Sequence, residues 1–150
     1  MNNKEIKLFL KTLKEQFGFT GGLDYIFFRK KEKIYILSKN YDKITSENFN
    51  INSLGLYIAK IESNSIRLSI EGSQLIGPDS NKTILELDSP DEWLQGNDIK
   101  NIKNLKHFVI LKYKDDFIGC GFCKKDKILN YIPKSRRLKQ LRSSNKQKDL

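Results

Sequence analysis

Cys120 and Cys123, the only two cysteines of the chain, stand in a C-x-x-C spacing that could do redox or metal chemistry. A redox pair needs both sulfurs within bonding reach and one thiol activated, commonly at a helix N-terminus. The flanking "FIGCGFCK" reads as a strand, on which side chains alternate. Ile118, Cys120 and Phe122 are then expected on one face and Cys123 on the other, with the thiols pointing apart. A zinc site needs four ligands, but His107 is the only histidine and there is no second cysteine pair. Gly119 and Gly121 fit a strand that crowds neighbouring backbone or bends at a barrel corner. The pair is therefore read as structural, with no metal and no cofactor expected.

Other catalytic signals are weak. His107 heads an apolar strand, where a packing or solvent-edge role is the ordinary one. No nucleophile elbow, P-loop or dinucleotide-binding glycine pattern occurs. The carboxylates between Glu71 and Asp98 show no spacing that marks an acid/base pair or a metal cage. The chain is read as a non-enzyme, with a small RNA-modifying enzyme as a rival.

Charge carries more information. The net charge is +10, and residues 99–150 hold 15 basic and 4 acidic side chains, a balance of +11. Residues 1–62 balance at +4 and residues 63–98 at −5. With 23 Lys against 5 Arg, lysine enrichment alone is a competing explanation, yet Arg136, Arg137 and Arg142 lie within seven residues. That cluster reads as a footprint for a polyanion.

The elements that must position these residues follow from periodicity. Ile6, Phe9, Leu10, Leu13 and Phe17 recur at helical spacing, with Asn2 or Asn3 as cap and Gly18 as stop. "DYIFFRK" and "KIYILS" form a hairpin, "YDKITSENFN" is either loop or short helix, and "LGLYIAKIE" and "IRLSIE" are strands. A short helix is expected from Gly72 to Ile76, closed by Gly77-Pro78. "TILELD" is a strand and "DEWLQG" a helical turn opened by Pro90. "HFVILKYK", "FIGCGFCK" and "KILNYI" complete a small mixed β-barrel. The fold class is α+β: an N-terminal helix and small antiparallel sheet over residues 1–62, a barrel over 63–139, and a basic, flexible tail over 140–150. No apolar run is long enough to span a bilayer, and "MNNKE" lacks a signal peptide's apolar core. A soluble, cytoplasmic protein with no membrane partner is expected.

Three pieces of the second half resemble a PUA domain, a pseudo-barrel RNA-binding module. They are "IRLSIEGSQLIGP", "EWLQGNDI" and "FVILKYKDDFIGCGFCKKDKILNYIPKSRRLK". The last is similar to the PUA-like tails of Sun/Fmu-type ribosomal-RNA cytosine methyltransferases and their free-standing archaeal relatives. A helix and small sheet feeding into the module resembles two-domain ribosome-biogenesis factors that act in pre-rRNA processing. The resemblance implies binding of structured ribosomal RNA, on a surface shared by the short helix and the last strands. Carried over, it points to Gly72, Ser73 and Gln74 on the helix side, and to Asn130, Tyr131, Lys134, Arg136, Arg137 and Lys139 on the other. Tyr131 either stacks on an unpaired base or packs in the barrel. Asn130 either reads a base edge or satisfies a strand end. Glu71 and Asp79 depart from what an RNA surface would prefer. An alternative function is a protein–protein adaptor that recruits a separate rRNA methyltransferase or assembly factor, with Phe27, Phe28 and Tyr35 as docking candidates if exposed.

Overall fold

The computed structural model describes residues 1–39 and 55–139. The segment "YDKITSENFN", the 140–150 tail and Arg142 lie outside the described residues.

Helix α1 (Asn3–Phe17) starts on a reciprocal cap: the Asn2 side chain accepts from the Glu5 N–H at 2.9 Å, and the Glu5 carboxylate accepts from the Asn2 N–H at 2.8 Å. It ends at Gly18, whose φ of 65° is the left-handed conformation glycine adopts without strain. Phe9, Leu13 and Phe17 are buried, while Lys4, Lys7, Lys11 and Lys14 are exposed. Burying each of the three apolar side chains stabilises by about 1.5–3 kcal/mol, so packing rather than surface charge holds the helix down.

Four strands, β1 (Tyr25–Lys30), β2 (Lys33–Ser38), β3 (Leu56–Glu62) and β4 (Ser65–Leu68), form an antiparallel meander in sequence order. A bulge interrupts β3. Ile34 pairs with Ala59 but Tyr35 with Tyr57, which leaves Ile58 as the extra residue. The free edge of β4 is closed by α1, because the Gln16 amide donates to Ile66 O at 2.6 Å and accepts from Ile66 N at 2.9 Å.

Helix α2 (Ile70–Ile76) begins two residues earlier than the expected Gly72, because Ser69 caps it by accepting from the Gly72 N–H at 2.9 Å. It packs on β3 and on a second sheet. That sheet has the order β5-β7-β8-β9-β6, with β5 (Ile84–Glu86) parallel to β7 (His107–Tyr113) and the other pairs antiparallel. Its remaining strands are β6 (Ile99–Lys100), β8 (Asp116–Cys123) and β9 (Lys127–Asn130), and the whole curls into a mixed half-barrel. The fold is α+β, as expected. Helix α3 (Asp91–Leu94) carries Trp93 into the half-barrel.

Two points of the sequence reading are corrected by this architecture. The expected division after Glu62 falls at the tip of the β3–β4 hairpin, whose strands belong to one sheet. One core joins both halves: Phe9, Leu13, Phe17, Phe27, Ile34, Ile58, Ile66 and Leu68 pack with Phe108, Ile110, Phe117 and Cys120. The second correction concerns the face of β8. The register steps from Leu111–Gly119 to Lys112–Phe117, so Ile118 is an extra residue, and Gly119 takes a φ of 137° open to glycine. Phe117 and Cys120 therefore enter the shared core, while Ile118 and Cys123 join Trp93, Val109, Leu111, Ile128 and Ile132 in a second core.

Candidate functional site

The two thiols lie in different cores, both free and both buried. Burial pushes the Cys120 pKa up to about 12 and raises that of Cys123, the reverse of what a reactive thiolate needs. Gly119 and Gly121 do crowd a neighbour, and it is the Trp93 ring. A Cβ on Gly119 would come within 3.0 Å of the indole nitrogen, and one on Gly121 within 2.8 Å of the ring. The indole N–H donates to Ile118 O at 3.0 Å, which locks the ring over the two glycines. Among the described residues no group of three or more His, Cys, Asp and Glu is arranged to hold a metal ion.

A cleft of about 320 Å³ opens where the first sheet meets the half-barrel. One wall comes from the first sheet, with Lys33, Tyr57, Lys60 and Arg67. The other comes from the end of α2's cap and the segment after β9, with Ser69, Glu71, Tyr131 and Arg136. Four of these side chains are cationic and one is a carboxylate. The Arg67 guanidinium lies 4.1 Å from the Tyr131 ring centre, a close cation–π stack across the cleft. Tyr131 is 37% exposed, so its ring is on the surface and not in a barrel core. Glu62 holds Lys60 at 3.4 Å and Arg67 at 3.3 Å. Arg136 forks onto Glu71, with nitrogen–oxygen distances of 2.6 and 2.9 Å. Burial alone would raise the Glu71 pKa, but the hydrogen bond and charge of Arg136, with Glu71's own N–H, outweigh it and hold the carboxyl below its ordinary value. The Tyr57 hydroxyl is shifted up by burial against the opposing pull of Arg67.

The residues singled out from the sequence divide into two groups. Tyr131 and Arg136 are exposed and line the cleft, Lys134 and Lys139 are exposed in the segment after β9, and Gln74 is exposed on α2. Four others are committed to the fold. Gly72 is buried where α2 crosses β3, and a Cβ there would run into the Ile58 carbonyl. Ser73 is fully buried, its hydroxyl donating to Ile70 O at 2.6 Å, which takes it off any surface a ligand can reach. Asn130 is a clamp. Its amide donates to Trp93 O at 2.7 Å and Asn97 O at 3.0 Å, and its oxygen accepts from Ile132 N at 2.8 Å. Arg137 lies against Gly96 and donates from Nε to Ile132 O at 3.0 Å, pinning the segment that carries Tyr131 and Arg136. Of the docking candidates, Phe27 is in the core, while Phe28 and Tyr35 are half-buried on the outer face of the first sheet.

Arg67 and Lys60 escaped the sequence reading because they stand in the first half of the chain, far from the basic cluster. The signal was indirect: "IRLSI" alternates apolar residues with Arg67, which sets that arginine opposite the core.

Residues 80–138 match the family described as the Methyltransferase RsmF PUA domain. The match begins after α2, so "IRLSIEGSQLIGP" lies wholly outside it. No curated protein matches the chain in sequence. No helix among the described residues is long and apolar enough to cross a membrane. The matched segment contains β5 to β9, Trp93 and the cleft-lining residues Tyr131 and Arg136, and in this segment the chain is similar to a PUA domain, the PUA-like tail of the Sun/Fmu-type methyltransferases.

Proposed function

We propose that this chain binds structured ribosomal RNA during ribosome maturation and does not itself catalyse a reaction. The observation that carries the reading is the cleft beside the PUA-like domain, where Lys33, Lys60, Arg67 and Arg136 face one carboxylate and Tyr131 offers an exposed ring. Cations of this kind attract phosphates without regard to sequence, and an exposed tyrosine can stack on an unpaired base. Glu71 occupies the Arg136 fork until a phosphate competes for it. In the ribosomal setting a separate methyltransferase or assembly factor acts on the RNA this chain holds.

Fluorescence anisotropy tests the reading with a structured rRNA fragment, an unstructured RNA of equal length and a DNA duplex, each at low and physiological salt. Tighter binding to the structured RNA that survives physiological salt is expected. Arg136→Ala should weaken it and lower the salt slope by about one unit. Equal binding to all three that vanishes with salt would overturn the reading and return the search to protein partners. In a single-turnover assay with a methyl donor, no transfer to the rRNA fragment is expected.

A further inference from the structure

The outer face of the first sheet carries two parallel rows that no single strand reveals. Strand register sets Lys30 opposite Lys33, Lys33 opposite Lys60, and Lys60 opposite Arg67, a row of four cations running across all four strands. Beside it, Phe28 pairs with Tyr35 and Tyr35 with Tyr57. The Phe28 and Tyr35 rings stack at 5.3 Å with 6° between planes, and Tyr57 follows at 5.7 Å from Tyr35. The bulge at Ile58 is what brings Tyr57 and Lys60 to the same face, since three residues of plain alternation would separate them.

Like charges set directly opposite one another repel, so a sheet built for stability alone would not stack four in register. Glu62 touches Lys60 and Arg67, and among the described residues Lys30 and Lys33 make no ion pair. Strands lie about 4.8 Å apart, so the cation row spans roughly 14 Å, enough for two or three phosphates of an extended strand. A row of aromatic rings running alongside suits the bases attached to those phosphates, and stacking on rings tolerates any base. Arg67 ends the cation row by stacking on Tyr131, so the row runs directly into the cleft.

We propose that this face is a platform for single-stranded RNA, with phosphates along Lys30, Lys33, Lys60 and Arg67 and bases along Phe28, Tyr35 and Tyr57. The platform extends the RNA contact at Tyr131 and Arg136, and in that respect it rests on the RNA-binding reading above. Its natural occupant is the unpaired strand leaving a duplex held at the cleft.

The experiment compares an RNA hairpin with the same hairpin carrying a short single-stranded extension at its 5′ or 3′ end, and with the single strand alone. Wild-type protein, Lys30→Gln and Tyr35→Leu are assayed by anisotropy across a salt series, each variant checked by its melting curve. One extension is expected to tighten wild-type binding about tenfold. Lys30 lies on the row but outside the cleft, so Lys30→Gln should reduce that gain, lower the salt slope for the extended RNA by about 0.7 and leave the bare hairpin unchanged. Tyr35→Leu should reduce the gain without changing the slope. An extension that adds nothing, or a Lys30→Gln variant that weakens both RNAs equally, overturns the platform while the cleft reading stands. Displacement of the extension by a poly-glutamate peptide as effectively as by single-stranded RNA also overturns it, in favour of an acidic protein partner. Lysine-dependent binding of the single strand without any binding of the hairpin supports the platform and removes the structured-RNA reading. No binding to any RNA removes both.

Discussion

Asn130 was a candidate base reader, and its reassignment as a clamp can be tested by one substitution. Asn130→Ala removes three side-chain hydrogen bonds, to Trp93 O, Asn97 O and Ile132 N, at 2.7, 3.0 and 2.8 Å. Each is worth about 1 kcal/mol net, and because the site is only half-buried water replaces part of the loss, leaving roughly 2 kcal/mol. For a chain of this length that lowers the melting temperature by roughly 4–8 °C. Asn130→Asp should be worse despite its shape. It keeps the acceptor for Ile132 N but turns a carboxylate oxygen toward two carbonyls that had been receiving N–H groups. The assay pairs a melting curve followed by Trp93 fluorescence with RNA anisotropy well below the melting point, where Asn130→Ala is expected to bind within about twofold of wild type. A variant that melts within about 1 °C of wild type yet loses RNA binding would refute the clamp and restore the base-reading role.

Three further outcomes follow from the described geometry. The folded Glu71 pKa lies below its ordinary 4.5, so its contribution to stability is fully present above that value and is lost as pH falls through the lowered one. The difference in stability between wild type and Glu71→Gln, at most about 1 kcal/mol for so open a pair, should be flat above pH 5 and shrink in acid; a difference growing toward low pH would contradict the sign. Native protein should resist thiol alkylation at mildly alkaline pH at both cysteines, and react at both once unfolded, as mass spectrometry would report. Rapid labelling of Cys120 in the native state would be incompatible with its burial. Gly121→Ala would place a methyl 2.6 Å from Ile128 Cγ2 and 2.8 Å from Leu129 O and the Trp93 ring. Overpacking of that kind costs about 1–3 kcal/mol, and an unchanged melting temperature would show that the ring has room to move.

Local signals were well legible. Asn2 and Gly18 bracket α1 as capping chemistry requires, and the two hairpins of the first sheet follow from alternation broken by short polar turns. The inference that the cysteines point apart also holds, since Cys120 and Cys123 lie in separate cores. Its detail for Ile118 fails because one extra residue in a strand reverses every side chain beyond it, and a bulge leaves no mark but Gly119. The same limit hid the cation row, because Lys60 comes to face Lys33 only through the bulge at Ile58. Strand β6 is two residues long, too short for any periodicity to show. Gly72, Ser73, Asn130 and Arg137 looked available because nothing in a linear sequence says that the Ile58 carbonyl, Trp93 and Gly96 lie against them. The candidate site was thus half visible: Tyr131 and Arg136 stand in one basic stretch, while its far wall depends on contacts between distant residues.

The core shared by Phe108, Ile110 and Phe117 with α1 and the first sheet has a consequence for selectivity. Two RNA-contacting modules joined by a flexible tether find their second contact at an effective concentration set by the tether, and they accept many ligand shapes. Here the cleft and the sheet face are mounted on one packed interior, so the distance and angle between them are properties of the protein. An RNA gains from both only when its duplex end and its departing strand already have that geometry. In the proposed role, the interior that keeps the chain folded acts as a gauge, rejecting by shape the many RNAs that a +10 chain would otherwise hold by charge.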